Sequence, residues 1–138
     1  MEKILIDTDV ILDFLFDRKP FSNEASQILG LCERKKIHGL VTPVMISNVY
    51  YILRKTASHE KIIQHLKMLM NFLDIAVIDK KVILEALNSG FQDFEDALQN
   101  FSAVVGKEIG IIITRNVRDY KTTSLPVMTP ELYLKAIL

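Results

Sequence analysis

The sequence is poor in the residues that several chemistries require. Its single cysteine, Cys32, excludes an internal disulfide and suits a reducing compartment. The five glycines are scattered, so no Walker-type phosphate loop is present. His38, His59 and His65 show no metal-ligand spacing with one another or with Cys32, which argues against zinc. Ser47 and Ser102 lack a nearby histidine or a Gly-x-Ser-x-Gly setting, against a serine hydrolase. No apolar run approaches the ~20 residues that span a bilayer. The first strand begins almost at once and leaves no room for a signal peptide, so the expected location is cytoplasmic, without membrane contact. Neither sign of charge is in excess: lysine plus arginine and aspartate plus glutamate number 17 each. Any site for a polyanion must then be a local arrangement.

What remains is an ordinary globular composition, 49% apolar and 25% charged over 138 residues. That length supports a buried core. No repeat, low-complexity tract or Pro/Gly-rich linker divides the chain, and residues 1–138 read as one domain.

Hydrophobic spacing predicts alternating strands and helices. Strands are expected at 3–6, 38–42, 75–78, 110–114 and 126–128. Helices are expected at 9–16, 21–35, from Pro43 to about 55, 59–72, 80–89, 94–105 and after Thr129-Pro130. Gly90 and Gly106 are read as helix terminators. Strands separated by helices imply an α/β fold with a mainly parallel sheet covered on both faces.

Acids cluster where this reading puts strand ends and helix starts. Asp7 directly ends the first buried strand, with Asp9 beside it. Asp93 and Asp96 flank Phe94-Glu95, and Asp119 lies in Thr114-Arg115-Asn116-Val117-Arg118-Asp119-Tyr120. A bare carboxylate at the end of a buried strand is costly to desolvate, and a hard divalent cation would neutralise it through oxygen ligands. Each acid also has a plainer explanation. Asp93 and Asp96 have the spacing of a helix cap, Asp9 could begin the first helix, and Asp119 alone reads as a surface acid. Asp13 and Asp17 are expected in solvent, and Tyr50 and Tyr51 against the sheet.

In that order, Ile6-Asp7-Thr8-Asp9-Val10-Ile11-Leu12-Asp13, Asp93-Phe94-Glu95-Asp96-Ala97-Leu98 and Ile113-Thr114-Arg115-Asn116-Val117-Arg118-Asp119-Tyr120 resemble the PIN-domain ribonucleases, which include toxins of bacterial toxin–antitoxin pairs. The resemblance implies a three-layer α/β/α sandwich around a mainly parallel sheet of about five strands. It implies that Asp7, Asp96 and Asp119 hold Mg²⁺ or Mn²⁺, with Asp93 auxiliary, and that RNA phosphodiesters are hydrolysed. Thr114 and Asn116 match the polar residues beside the last acid, and Arg115 and Arg118 are placed to contact substrate phosphates. A homodimer and a small antitoxin partner are implied as well.

One position departs from the pattern. Where most members carry a glutamate on the helix after the second strand, this chain has Asn48, within an Asn-Val-Tyr-Tyr-Ile-Leu-Arg-Lys segment that a subgroup resembles. Asparagine offers a carbonyl oxygen or a hydrogen bond and no charge, so metal affinity is expected to fall. Two alternatives stay open on the sequence. One is a catalytically weak or inactive PIN-like module that binds RNA or protein. The other is a haloacid-dehalogenase-type phosphohydrolase, whose opening motif Ile6-Asp7-Thr8-Asp9 resembles but whose later motifs find no match here.

Overall fold

The computed structural model describes residues 1–137. Five strands form one sheet: β1 (Lys3–Ile6), β2 (His38–Val41), β3 (Leu73–Ile75), β4 (Ile111–Ile113) and β5 (Val127–Met128). Their spatial order is β3-β2-β1-β4-β5, and every neighbouring pair is parallel. Ile4, Leu5 and Ile6 of β1 and Ile112 and Ile113 of β4 are fully buried, as an all-apolar sequence demands of central strands.

Helices cover the sheet: α1 (Thr8–Leu15), α2 (Ser22–Glu33), α3 (Pro43–Leu53), α4 (His59–Met70), α5 (Lys80–Leu87), α6 (Phe94–Gly106) and α7 (Pro130–Ile137). The chain steps from β1 through β2 to β3 in one direction, then returns to place β4 on the other side of β1. Parallel crossovers are right-handed, so this reversal moves α5 and α6, which link β3 to β4, to the opposite face. The packing follows: α1 lies on α2 and α3, α2 meets α7, and α5 and α6 pack on each other. The result is the expected α/β/α sandwich. No helix among the described residues is long and apolar enough to cross a membrane.

Three boundaries differ from expectation. The third strand is Leu73–Ile75 rather than 75–78. It lies at the sheet edge with only Leu73 buried, so it tolerates Asp74 and needs no continuous apolar run. Ala76 N–H still donates to Val41 O at 2.9 Å before the chain leaves the sheet, and Val77 is exposed. Gly106 is the last residue of α6, and Lys107 beyond it takes the left-handed conformation at φ 59°. Likewise α5 ends at Leu87, with Asn88 as its C-cap, before reaching Gly90.

The reversal at β1 has a functional consequence. The carboxyl ends of β1 and β4 diverge into helices on opposite faces and leave a crevice between them. Asp7 follows β1 and Thr114 follows β4, and Asp7 N–H donates to Ile113 O at 2.9 Å across that seam.

Candidate functional site

Asp7 is placed by its own backbone before it does any chemistry. It is the N-cap of α1, with its Oδ1 accepting from Thr8 N–H at 2.8 Å. Its Oδ2 accepts from the Thr114 hydroxyl at 2.9 Å and faces the Tyr120 hydroxyl at 3.3 Å. The side chain is buried, and desolvation together with the nearby Asp9 charge pushes its carboxyl up to about 6.

Asp9 is the second residue of α1, so Asp7 rather than Asp9 caps the helix. Asp9 Oδ2 accepts from Arg115 N–H at 3.0 Å and lies 3.2 Å from the Thr114 hydroxyl. Its Oδ1 is buried with no hydrogen-bond partner among the described residues. Burial raises this carboxyl as well.

From the opposite face, α6 brings Asp93 and Asp96. Asp93 is the N-cap, its Oδ1 accepting from Asp96 N–H at 3.0 Å. Asp93, Asp96 and Asp119 line one cleft of about 290 Å³, together with Arg118 and Lys121. Asp119 comes from a 3₁₀ turn, Val117–Tyr120, which separates this cleft from a larger one of about 850 Å³ lined by Asn116. Desolvation raises the Asp96 carboxyl to about 7, with further upward contributions from Asp93, Asp119, Asp7 and Glu95. Five acids drawn from three distant segments thus feel one another's charge.

Tyr120 ties the two halves of this crevice. Its buried hydroxyl shares a single proton between Gln99 Oε1 and Asp7 Oδ2. Gln99 and Asn100 are themselves buried on α6, and Asn100 is bonded to the Thr123 hydroxyl. None of these three was singled out from the sequence. A signal was present: residues 96, 99 and 100 put polar side chains along one stripe of a helix whose inward face should be apolar.

Two of the expected substrate contacts, Thr114 and Arg115, are engaged by acids of the chain itself, and a third, Asn116, lines another cleft. Thr114 is fully buried, and its hydroxyl serves Asp7, Asp9 and the Asn116 N–H, so it positions acids rather than substrate. Arg115 donates from Nε and Nη2 to Asp13 at 2.6 and 3.0 Å, and its guanidinium lies 4.0 Å from the Phe21 ring centroid. A bidentate carboxylate and an aromatic face hold it as a structural clamp. Asn116 lines the larger cleft, apart from Asp96. Arg118 reaches the acidic cleft and is exposed. Asp13, expected in solvent, is 1% exposed because it receives both Arg115 and Arg18. Tyr51, expected to be buried, is 67% exposed, and Tyr50 instead bonds His59 Nδ1 at 2.9 Å.

Asn48 lies on α3 and meets the first turn of α6. Its Nδ2 donates to Glu95 Oε2 at 2.9 Å.

The donor set suits a hard cation, being made of carboxylate oxygens, those of Asp7 and Asp96 raised by burial. Among the described residues no three histidine, cysteine or acidic side chains close on a point tightly enough to hold an ion by themselves. Mg²⁺ characteristically takes one or two carboxylates and completes its shell with water and substrate phosphate, which this arrangement allows.

A family model for the PIN domain matches residues 3–118. The chain is 28% identical over 136 residues to Ribonuclease VapC1 of Aquifex aeolicus (strain VF5), covering 94% of this chain and 92% of that protein. VapBC2 from Rickettsia felis, solved bound to a DNA fragment from their promoter, superposes with a TM-score of 0.68 at 12% identity, over 91% of this chain and 96% of that one. VapBC-1 from nontypeable Haemophilus influenzae gives 0.67 at 14% identity, over 94% and 98%. At such identities the structural likeness speaks for the fold alone.

Proposed function

This chain belongs to the PIN domain family, and from that we propose that it is a divalent-metal-dependent ribonuclease, the toxin of a toxin–antitoxin pair. The observation that supports the reading is that Asp96 and Asp119 line one cleft, with the Asp7 carboxylate near enough to help raise the Asp96 carboxyl. Asp7, Asp96 and Asp119 would hold Mg²⁺ or Mn²⁺, with Asp93 as the capping acid beside them. Bound there, the metal supplies polarisation of phosphoryl oxygens and a lowered pKa for an attacking water. Asp119 or Asp96 would accept a proton from an attacking water, both lining the cleft that a phosphate would enter. Arg118 and Lys121 on the same wall pair with flanking phosphates, which holds RNA without reading its sequence. Thr114 and Tyr120 keep Asp7 oriented from behind.

The partners follow from the kinship. A ribonuclease relative aligns along nearly the whole chain, and the solved neighbours include VapBC assemblies, so a small antitoxin, a homodimer and a cytoplasmic setting complete the proposal.

The test is cleavage of a labelled RNA by purified protein in Mg²⁺ or Mn²⁺ and in chelator. Metal-dependent cleavage that Asp7→Asn abolishes, with its circular dichroism unchanged, is the expected result. Asparagine keeps the capping oxygen, so the fold survives. Equal cleavage by the variant rejects the site. RNA binding without cleavage favours the alternative that Asn48 raises, a PIN module that binds and does not cut.

A further inference from the structure

We propose that the cleft of about 850 Å³ beside the acidic one seats the nucleotides adjoining the cut, and that the substrate is single-stranded RNA bent over the 3₁₀ turn between the two clefts. The inference rests on the ribonuclease reading above and adds to it a second subsite and the strandedness of the substrate. The two clefts share a wall. Arg118, Asp119 and Lys121 line the acidic cleft of about 290 Å³ and the larger one alike. A ligand that reaches Asp119 in the first is therefore already at the entrance to the second. The larger cleft falls within the range of about 300–1,000 Å³ usual for small-ligand sites.

The shared wall carries uncompensated positive charge. A 3₁₀ helix completes a turn every three residues, so Arg118 within the turn and Lys121 at its C-cap project from the same side. Both are exposed, and among the described residues neither enters an ion pair. Arg115 differs, since Asp13 already engages its guanidinium. In a chain without net charge, two aligned cations at the junction mark where an anionic backbone crosses.

Beyond those cations the larger cleft changes character. Val117, Leu125 and Val127 give it apolar surface on which a ribose or a base can lie. Asn116 is exposed there and makes no capping bond to the turn it precedes, so its amide is free to donate and accept at a base edge. The acidic cleft offers none of this apolar surface from the same three residues, and the two clefts thus suit different parts of one strand. Shape then selects the kind of strand. The turn Val117–Tyr120 stands between the clefts, and whatever fills both must bend sharply over it. Duplex nucleic acid is stiff over far longer spans, whereas a single strand bends freely and turns its bases into a groove.

Fluorescence anisotropy tests this with full-length Asp7→Asn protein, which leaves the RNA uncut. The probes are labelled RNA single strands from dinucleotide to octanucleotide, a duplex of the longest strand, and polyglutamate as competitor. Affinity should rise by about tenfold or more from dinucleotide to tetranucleotide and level off beyond it. The duplex should bind about tenfold more weakly than its single strand, and polyglutamate should not displace the RNA. Arg118→Ala and Lys121→Ala should each flatten the plot of log affinity against log salt by about 0.7, the mark of one lost phosphate contact. Val117→Glu and Asn116→Asp each add a carboxylate to the larger cleft alone, and both should cancel the gain with length. A gain that both variants keep would overturn the subsite, and cleavage of RNA by the native chain would then leave the ribonuclease reading standing. Equal affinity for the duplex, or displacement by polyglutamate, would overturn the selection of a single strand. Native protein that neither binds nor cuts RNA would overturn both readings together.

Discussion

Asp7 and Asp13 lie six positions apart and show how differently buried acids are stabilised. Asp13 is neutralised by two arginines, at 2.9 Å from Arg18 and 2.6 Å from Arg115. Asp7 has only neutral donors, and burial with Asp9 raises its carboxyl to about 6; Asp96, raised by burial and four acids, reaches about 7. Both values stand above the ordinary 3.8. From about pH 4 to about pH 7 the folded chain therefore holds protons that the unfolded chain has released, and stability falls as pH rises through that window. Above it these two groups contribute a constant penalty. Thermal melts of metal-free protein should drop between pH 5 and pH 8, and Asp7→Asn should flatten part of that slope. At pH 8 the variant should be more stable than native by about 1–3 kcal/mol. Asp13→Ala should do the reverse, losing about 3 kcal/mol in urea denaturation at neutral pH. That is the lower range for a broken buried pair, because Arg115 and Arg18 both reach solvent. The sequence made Asp7 stand out, since it directly follows three apolar residues. It could not separate Asp13 from Asp17, because one of the two arginines that pair with Asp13 lies 102 positions away. The same long-range pairing engages the Arg115 guanidinium with Asp13, a partnership that local spacing cannot reveal.

Among the elements, those whose environment is written in their own residues were legible. The all-apolar β1 and β4 are central, and Thr42-Pro43 begins α3, with Thr42 Oγ1 accepting from Met45 N–H at 3.1 Å. Thr129-Pro130 begins α7 in the same manner. The edge strand β3 was misplaced because an edge needs only one buried side chain, so its apolar pattern is faint. The buried polar stripe of α6 went unread because its partners, Tyr120 and Thr123, come from a loop downstream. One packing constraint at this scale is also invisible in sequence. A Cβ on Gly39 of β2 would lie 2.6 Å from Cys32 Sγ and 2.8 Å from Leu73 Cδ2, so α2 and β3 leave room for glycine only. Gly39→Ala should cost about 1–3 kcal/mol, checked by urea unfolding. Adding Cys32→Ala should recover part of that loss, because it removes the nearest obstructing atom.

Taken whole, the molecule has no net charge, yet it concentrates acids at one end of its sheet. Topology produces that concentration: the strand order reverses at β1, and the crevice it opens collects Asp7 from one face and Asp96 from the other. The Asp7, Asp96 and Asp119 motifs were visible as separate acid-bearing segments. The strand order that brings them together was not, since it depends on which side of β1 the fourth strand pairs. The account stands or falls on whether these residues form a cation site. Calorimetric titration of Mn²⁺ into native, Asp7→Asn, Asp96→Asn and Asp119→Asn protein measures this without reference to any RNA. Saturable binding by the native chain, weakened by about tenfold or more in each variant, is the predicted result. Undiminished binding in the variants, or none in the native chain, would contradict it.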